Sequence, residues 1–392
     1  MAINRIGSRY TGVRETLQSR VVRGIAALTR SDIAMLSGPQ ATEIYLTIMP
    51  SSDAPPQDQA EAVWSATSAI LDEHDAYLLE ERVFLADPAV VPLFRACRGV
   101  WMQGRDADVE PAWLIAPDPA GGAFSGVLVR AVAGGAIPRA IRADGRSLGR
   151  VWRCGTYEMF TGIAWEGRGD TASEQARDVF RRVDDVLQSG GWTWREVSRT
   201  WFWLRRILDW YGEFNAVRTD FFRERKVIAG DEAAALPAST GIGVSPASGR
   251  HVVLDFVVER GTTRKDIRRT PRQGDAYRYG SAFSRGVVLD TPFGPRAYVS
   301  GTASIGPDGR TRFVGDPHAQ IEETLACVRA VLCEAFGGAR PRIVQAVAYC
   351  KTPEVEHLFR AFWQPQLGPC LVVRADVCRP ELLFELECIA GV

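Results

Sequence analysis

The spacing of apolar positions along the chain changes period in a recurring way. Gln59, Gln175 and Gln320 each open a stretch with helical spacing, and twelve residues later each stretch reaches a Leu that ends an aliphatic pair: Ile70-Leu71, Val186-Leu187, Val331-Leu332. In the second stretch Ala176, Val179, Phe180, Val183, Val186 and Leu187 follow the i, i+3, i+4, i+7 rule of a helix with one buried face. A constant internal spacing of this kind marks a repeated structural unit.

Strand-like runs flank each helix. Before it come "EIYLTIM" (43–49), "YEMFTGIAW" (157–165) and "RAYVSGTASI" (296–305). After it come "ERVFLAD" (81–87), "RTWFWL" (199–204) and "VQAVAYC" (344–350), then second, shorter helices over 89–98, 212–225 and 354–363. Two further strands close the later units, at 239–244 and 251–261 and at 370–377 and 382–390. The pattern is β(β)αβαββ, used three times. A sheet with both helices on one face leaves its other face bare. Three such units around a common axis would cover it, giving a barrel-like centre within one chain.

The predicted division is an N-terminal arm (1–40), a first unit (41–150), a second (151–261), a basic aromatic loop (262–295) and a third unit (296–392). Six Arg and one acid, Glu15, fall in the first 30 residues. This composition suits a presequence or a basic arm, and the arm is preferred.

The last strand poses a chemical question. Leu382, Leu383, Phe384, Leu386 and Ile389 make it apolar on both faces, yet Glu385 and Glu387 share one face of it, and Cys378 lies just upstream. Burying an ionised carboxylate is costly unless it is paired or neutralised.

Composition narrows the classes. The chain has 392 residues, 46% hydrophobic and 24% charged, with 47 basic and 47 acidic side chains. This balance gives no support to nucleic-acid binding. No apolar run is long enough to span a membrane. The eight Cys lack metal-ligand spacing and several sit in apolar segments, as reduced thiols do, so a cytoplasmic location is expected. The four His share no spacing with acids or cysteines, and no metal site is indicated. Neither a phosphate-binding glycine loop nor a G-x-S-x-G elbow is present. The eleven Trp fit core and interface packing better than a cofactor site.

The repeat, with its "SG" strand and terminal E-x-E strand, resembles the RidA (YjgF) fold, whose members are homotrimers with sites between subunits. One chain with three such α+β units, a pseudo-trimer, resembles more specifically the chorismatase family. Four motifs carry the likeness: "YGEFNAVR" with Tyr211, Phe214, Asn215 and Arg218; "LPASTGIGV" (236–244); "PRQGDAYRYGSAFSRG" (271–286); and "VSGTASIGPDGRTRFVGDPHAQIEET" (299–324), continuing to "CRPELLFELE" (378–387). They span residues 200–392; residues 1–150 resemble the family only at fold level. The loop "AYRYGSAFSR" is shorter than is usual in the family, and this loop would wall the substrate pocket.

The resemblance implies cleavage of the enolpyruvyl ether of chorismate, a small dicarboxylate, to pyruvate and a hydroxybenzoate, without a cofactor. It places the catalytic acid at Glu385. An acid in an apolar strand suits proton delivery to a methylene carbon, because burial keeps it protonated. The alternative is a Glu paired with an Arg across an interface. Cys378 falls where family subtypes differ, and a Cys there resembles the branch making 3-hydroxybenzoate. Glu387 has no firm family role and reads as a structural neighbour.

Two substrate carboxylates need at least two cationic or multi-donor groups, and Arg meets a carboxylate with two parallel hydrogen bonds. Arg218, Arg278 and Arg285 are the candidates, with Tyr211, Tyr277 and Ser284 as hydroxyl donors. Thr240, Gly241, Gly243, Gly301 and Thr302 offer close backbone approach or small hydroxyls. A pseudo-trimer within one chain is expected to be a monomer. Three rivals stay open: an imine or enamine deaminase of the RidA type, a non-catalytic ligand-binding member of the fold, and an enzyme of another shikimate-derived ether.

Overall fold

The computed structural model describes residues 28–50, 54–104, 109–116, 122–229, 232–233 and 235–392. Its strands form three six-stranded mixed sheets that share one order over five strands. The first holds β1 (Thr29–Ser37), β2 (Ala41–Pro50), β3 (Ala76–Leu85), β4 (Ala112–Ile115) and β5 (Phe124–Gly134), ordered β1-β2-β5-β3-β4. The second holds β6 (Arg139–Ala143), β7 (Arg146–Cys154), β8 (Tyr157–Glu166), β9 (Val197–Leu204), β12 (Ala238–Ile242) and β14 (Val252–Arg260), ordered β6-β7-β8-β14-β9-β12. The third holds β15 (Arg264–Ile267), β16 (Gly286–Thr291), β17 (Gly294–Ala303), β18 (Arg342–Cys350), β19 (Cys370–Arg374) and β20 (Phe384–Gly391), ordered β15-β16-β17-β20-β18-β19. A short hairpin, β10 (Ile228–Ala229) and β11 (Glu232–Ala233), stands apart. The sixth strand of the first sheet is β13 (Ser245–Pro246), lent by the second unit to the edge of β4.

Two helices cover the outer face of each sheet: α1 (Pro56–Glu73) and α2 (Val91–Trp101), α3 (Ala172–Ser189) and α4 (Ile207–Glu224), α5 (Pro317–Phe336) and α6 (Pro353–Phe362). Their starts follow from local chemistry. Thr171 and Glu174 form a reciprocal capping box on α3, and Asp316 and Thr352 accept from the third backbone N–H of α5 and α6. The repeated Gln has a structural use. The Gln320 amide donates to the Phe313 and Glu381 carbonyls and its oxygen accepts from Leu383 N, at the approach to β20. Gln175 donates to the Gly169 carbonyl and accepts from His251 N, at the approach to β14.

The apolar residues gather into one central cluster and three outer ones. The central cluster takes side chains from all three sheets, among them Tyr45, Phe84, Trp152, Trp203, Tyr298 and Tyr349. Each outer cluster joins one sheet to its own helix pair. The chain is therefore a pseudo-trimer, with the inner sheet faces forming a shared core.

The unit boundaries differ from the sequence reading. β1 pairs along its length with β2, so residues 29–37 belong to the first sheet rather than to an arm, while residues 1–27 lie outside the described residues. β6 and most of β7 precede residue 151 yet pair into the second sheet. The segment read as a loop, 262–295, contributes β15 and β16 to the third sheet. The outermost of the misread strands, β1, β6 and β15, lie at the sheet edge and bury few of their residues, which leaves their apolar pattern weak.

Candidate active site

β20 alternates its side chains between two environments. Phe384, Leu386, Cys388 and Ala390 pack toward α5 and α6, while Glu385, Glu387 and Ile389 point to the centre. Glu385 stands between Ala303 of β17 and Tyr349 of β18. The register of β17 against β20 shifts between Val299 and Thr302, a bulge centred on the "SG" pair. Gly301 is required there. A Cβ on it would lie 2.2 Å from Glu385 Oε1 and 3.0 Å from its carboxyl carbon.

The two acids of this face are treated differently. Glu387 is saturated: Arg199 Nη2 and Thr240 Oγ1 donate to its Oε2, Trp201 Nε1 donates to Oε1 at 3.0 Å and Tyr349 OH at 3.2 Å. Among the described residues no hydrogen bond or ion pair reaches the Glu385 carboxyl, although it is only 4% exposed. Burial pushes its pKa up to about 8, the Glu387 charge adds to the rise, and Arg199 and Arg285 oppose it. Glu385 thus carries a proton near neutral pH.

Glu385 opens into a cavity of about 150 Å³ between the second and third units. α4 contributes Tyr211, Asn215 and Arg218; β12 contributes Ser239 and Gly241. The third unit supplies Gly301 and Ala303, and the segments around them add Tyr279, Ser281, Phe283, Arg285, Cys378 and Arg379. The Cys378 thiol is pushed up to about 12 by burial and by nearby Glu385, so it stays neutral.

Two guanidinium groups in this wall have no acid. Arg218 is 1% exposed, packs among Phe202, Phe214 and Phe283, and donates to Asn215 Oδ1 at 2.5 Å. Its Nε is buried without a partner, and burial holds its pKa below the usual arginine value. Arg285, also 1% exposed, donates to the Gly274 carbonyl at 3.0–3.1 Å and to Tyr279 OH. Among the described residues neither pairs with a carboxylate. A buried cation without a counter-ion is costly, so the cavity is built to receive an anion. Arg379 Nη1 donates to the Gly309 carbonyl at 2.9 Å and adds a third positive group.

Of the residues singled out from sequence, Glu385, Cys378, Tyr211, Arg218, Gly241, Arg285 and Gly301 line one cavity. Thr240 stands behind the wall, donating to Glu387 and accepting from Gly301 N at 3.0 Å and Arg199 Nη2 at 2.6 Å. Thr302 is turned away and donates to the Ser300 carbonyl at 2.8 Å. Ser284 acts through its backbone: its N–H donates to the Pro237 carbonyl at 2.9 Å and its carbonyl accepts from Ser300 Oγ, while its own hydroxyl is buried without a partner. Gly243 joins the units, donating to the Asp376 carbonyl at 2.8 Å.

Tyr277 and Arg278 are corrections. They belong to a 3-10 turn, Ala276–Tyr279, in which residues three apart share a face. Buried Ala276 therefore aligns with Tyr279, which faces the cavity; Arg278 is exposed and Tyr277 OH accepts from Arg223 at 3.4 Å. Tyr279 was legible from that periodicity. Ser281, Phe283 and Arg379 had no distinguishing signal.

The second unit offers a built-in comparison. The Gln clamps fix His251 N as the counterpart of Leu383 N. Counting on, Val253 stands where Glu385 stands and Asp255 where Glu387 stands. Asp255 is caged much as Glu387 is: Arg82 Nε donates at 3.0 Å, Trp203 Nε1 at 2.9 Å and Ala164 N at 2.7 Å. Val253 lines a groove of about 620 Å³ between the first and second units, with Trp113 and Ala164. This interface keeps the caged acid and lacks the free one.

The three-unit α+β pseudo-trimer is a fold shared with a solved chorismatase. The crystal structure of a chorismatase superposes on the chain with a TM-score of 0.60 at 19% identity, covering 80% of this chain and 93% of that one. At that identity the likeness is one of fold. Single-unit proteins align with about a third of the chain: the YjgF gene product of E. coli (22% identity, 32% of this chain and 98% of that one, TM-score 0.25) and a YjgF/YER057c/UK114 family member from Mycobacterium tuberculosis (21%, 31% and 98%, TM-score 0.24). No protein-family model matches the sequence, and no curated protein matches it significantly.

Proposed function

We propose that this protein is a chorismatase-like enzyme that cleaves the enolpyruvyl ether of chorismate without a cofactor. The observation that carries the reading is a pair of buried Arg, 218 and 285, without acids, in the same cavity as a Glu that holds its proton. Two such groups suit the two carboxylates of the substrate. A deaminase acting on a monocarboxylate imine needs only one, which favours the dicarboxylate.

In this mechanism Glu385 delivers its proton to the methylene carbon of the enol ether. Either water adds to the oxocarbenium ion so formed and the hemiketal collapses to pyruvate and a ring diol, or the neighbouring ring hydroxyl attacks the ring carbon that bears the ether, the ring C–O bond breaks with its electron pair becoming the pyruvate carbonyl, and the arene oxide left behind isomerises to the hydroxybenzoate. The Glu385 carboxylate recovers a proton from the attacking oxygen. Cys378, a neutral thiol beside Glu385, lines the ring site and favours the branch that ends in 3-hydroxybenzoate.

The test is purified protein with chorismate, read by a coupled pyruvate assay and by chromatography for aromatic products. Pyruvate with 3-hydroxybenzoate is expected. Glu385→Gln is expected to lower the rate by about 10²–10⁴-fold, the range of a lost general acid. Absence of pyruvate from the parent protein would overturn the assignment; pyruvate with a different ring product would overturn only the subtype.

A further inference from the structure

The cage around Glu387 looks excessive for a side chain that does not touch the cavity. Four donors converge on it, and one of them, Arg199, is fully buried with its Nη1 unpartnered. Glu385 lies two residues away on the same strand face, roughly 7 Å along the strand. It too is a carboxyl within electrostatic reach of Arg199. Both acids face the same guanidinium, and one of them holds it.

We propose that Glu387 is a positioning residue: by occupying Arg199 it keeps that guanidinium off Glu385, and so leaves Glu385 free to carry the proton of the cavity. The inference rests on the reading of Glu385 as proton donor. Thr240 completes the arrangement. Its hydroxyl donates to Glu387, and it accepts from Arg199 and from Gly301 N, the residue against which the Glu385 carboxyl lies.

The groups facing Glu385 from each packed element are Glu387 on β20, Arg199 on β9, Tyr349 on β18, Tyr211 and Arg218 on α4, and Tyr279, Arg285, Cys378 and Arg379 from the loops. The tyrosine and cysteine groups among them are held neutral by burial. Three cations, Arg218, Arg285 and Arg379, face the cavity, and Glu387 neutralises a further one, Arg199, behind it. Loss of the Glu387 charge would leave Arg199 facing Glu385 without the acid that now holds it.

The cage at Asp255 supplies the rival explanation. It has the same form beside Val253, where there is no acid to protect, so such cages also lock unit to unit. A lock and a guard differ in what they do to the neighbouring carboxyl, and the experiment must read that carboxyl directly.

The experiment is a pH titration of the Glu385 carboxyl by 13C NMR on full-length protein with 13C-labelled Glu, the resonance assigned by its loss in Glu385→Gln. In Glu387→Gln the midpoint is expected to fall by at least about one pH unit, as a carboxyl beside an unpaired cation does. In the double variant Glu387→Gln/Arg199→Gln it is expected to return to within about half a unit of the parent, because burial then acts without the cation. An unchanged midpoint in Glu387→Gln overturns the proposal, and so does a lowered midpoint in the double variant, which removes both charges and is readable even if the single variant fails to fold. The titration reports on Glu385 whether or not chorismate turns over. A protein that follows it but releases no pyruvate disproves the substrate alone, and one that releases pyruvate with an indifferent carboxyl disproves the guard alone.

Discussion

Gly301 leaves room that a methyl group would take from Glu385. Because the Cβ would sit 2.2 Å from the carboxyl oxygen, Gly301→Ala must push the acid out of its place or distort the bulge. Chorismate turnover is expected to fall at least about tenfold, since small displacements of a reacting group are costly, while thermal unfolding moves little; equal activity would show that the acid is not held against this backbone. The Glu385 proton also has a signature in stability. A carboxyl raised to about 8 in the folded state ionises freely at its ordinary value when unfolded, so it weakens the fold progressively as pH rises from the ordinary range toward 8. Glu385→Gln removes that dependence. Its melting temperature should exceed the parent's by a margin that widens between pH 5 and pH 8.5, measured by calorimetry at several pH values in that range.

At the scale of elements, the buried Gln at the start of α3 and of α5 ties helix to strand. Gln320→Ala leaves the Phe313 and Glu381 carbonyls and Leu383 N without their partner, just before the strand that carries both acids. A loss of roughly 2–3 kcal/mol is expected in urea denaturation, the range for buried groups left unpaired. The 3-10 turn allows a paired test: Tyr279→Phe should raise the KM for chorismate several-fold, whereas Tyr277→Phe, on the outer side, should leave it unchanged. Helices and inner strands were legible in the sequence because each must show apolar residues at a fixed period to a sheet or to the shared core. β1, β6 and β15 were not, because they are outer-edge strands with polar, Arg-bearing sequences. In the site, Glu385 and Arg218 were legible because a charge in an apolar setting is conspicuous. Arg379 was not, because it follows Cys378 in a loop whose pattern says nothing about direction, and neither were Arg199 and Trp201 as partners of Glu387, because they come from a strand of another unit.

For the whole molecule, the central cluster decides independence. The inner face of each sheet is covered only by the other two, so a single unit exposes its Tyr and Trp side chains. Residues 264–392 expressed alone are expected to self-associate or to bind a hydrophobic dye, measured by light scattering and fluorescence; a monodisperse monomer that unfolds cooperatively would contradict the shared-core description. The three interfaces have separate fates. The one between the second and third units holds the free acid. The one between the first and second has a caged Asp255 beside Val253 in the matching places. At the one between the third and first, Gln345 donates to the Leu46 carbonyl at 3.0 Å and Leu371 fills the space beside Gly126.

The covalent joining of the units carries a freedom that identical chains lack. In a ring of three copies, a codon change alters every interface at once, so a residue that improves one pocket must be tolerated in all three. Here Glu385 and Val253 occupy matching places and answer to different demands. Each pocket can drift by itself, and the cost of harbouring an acid in the interior is incurred once per molecule.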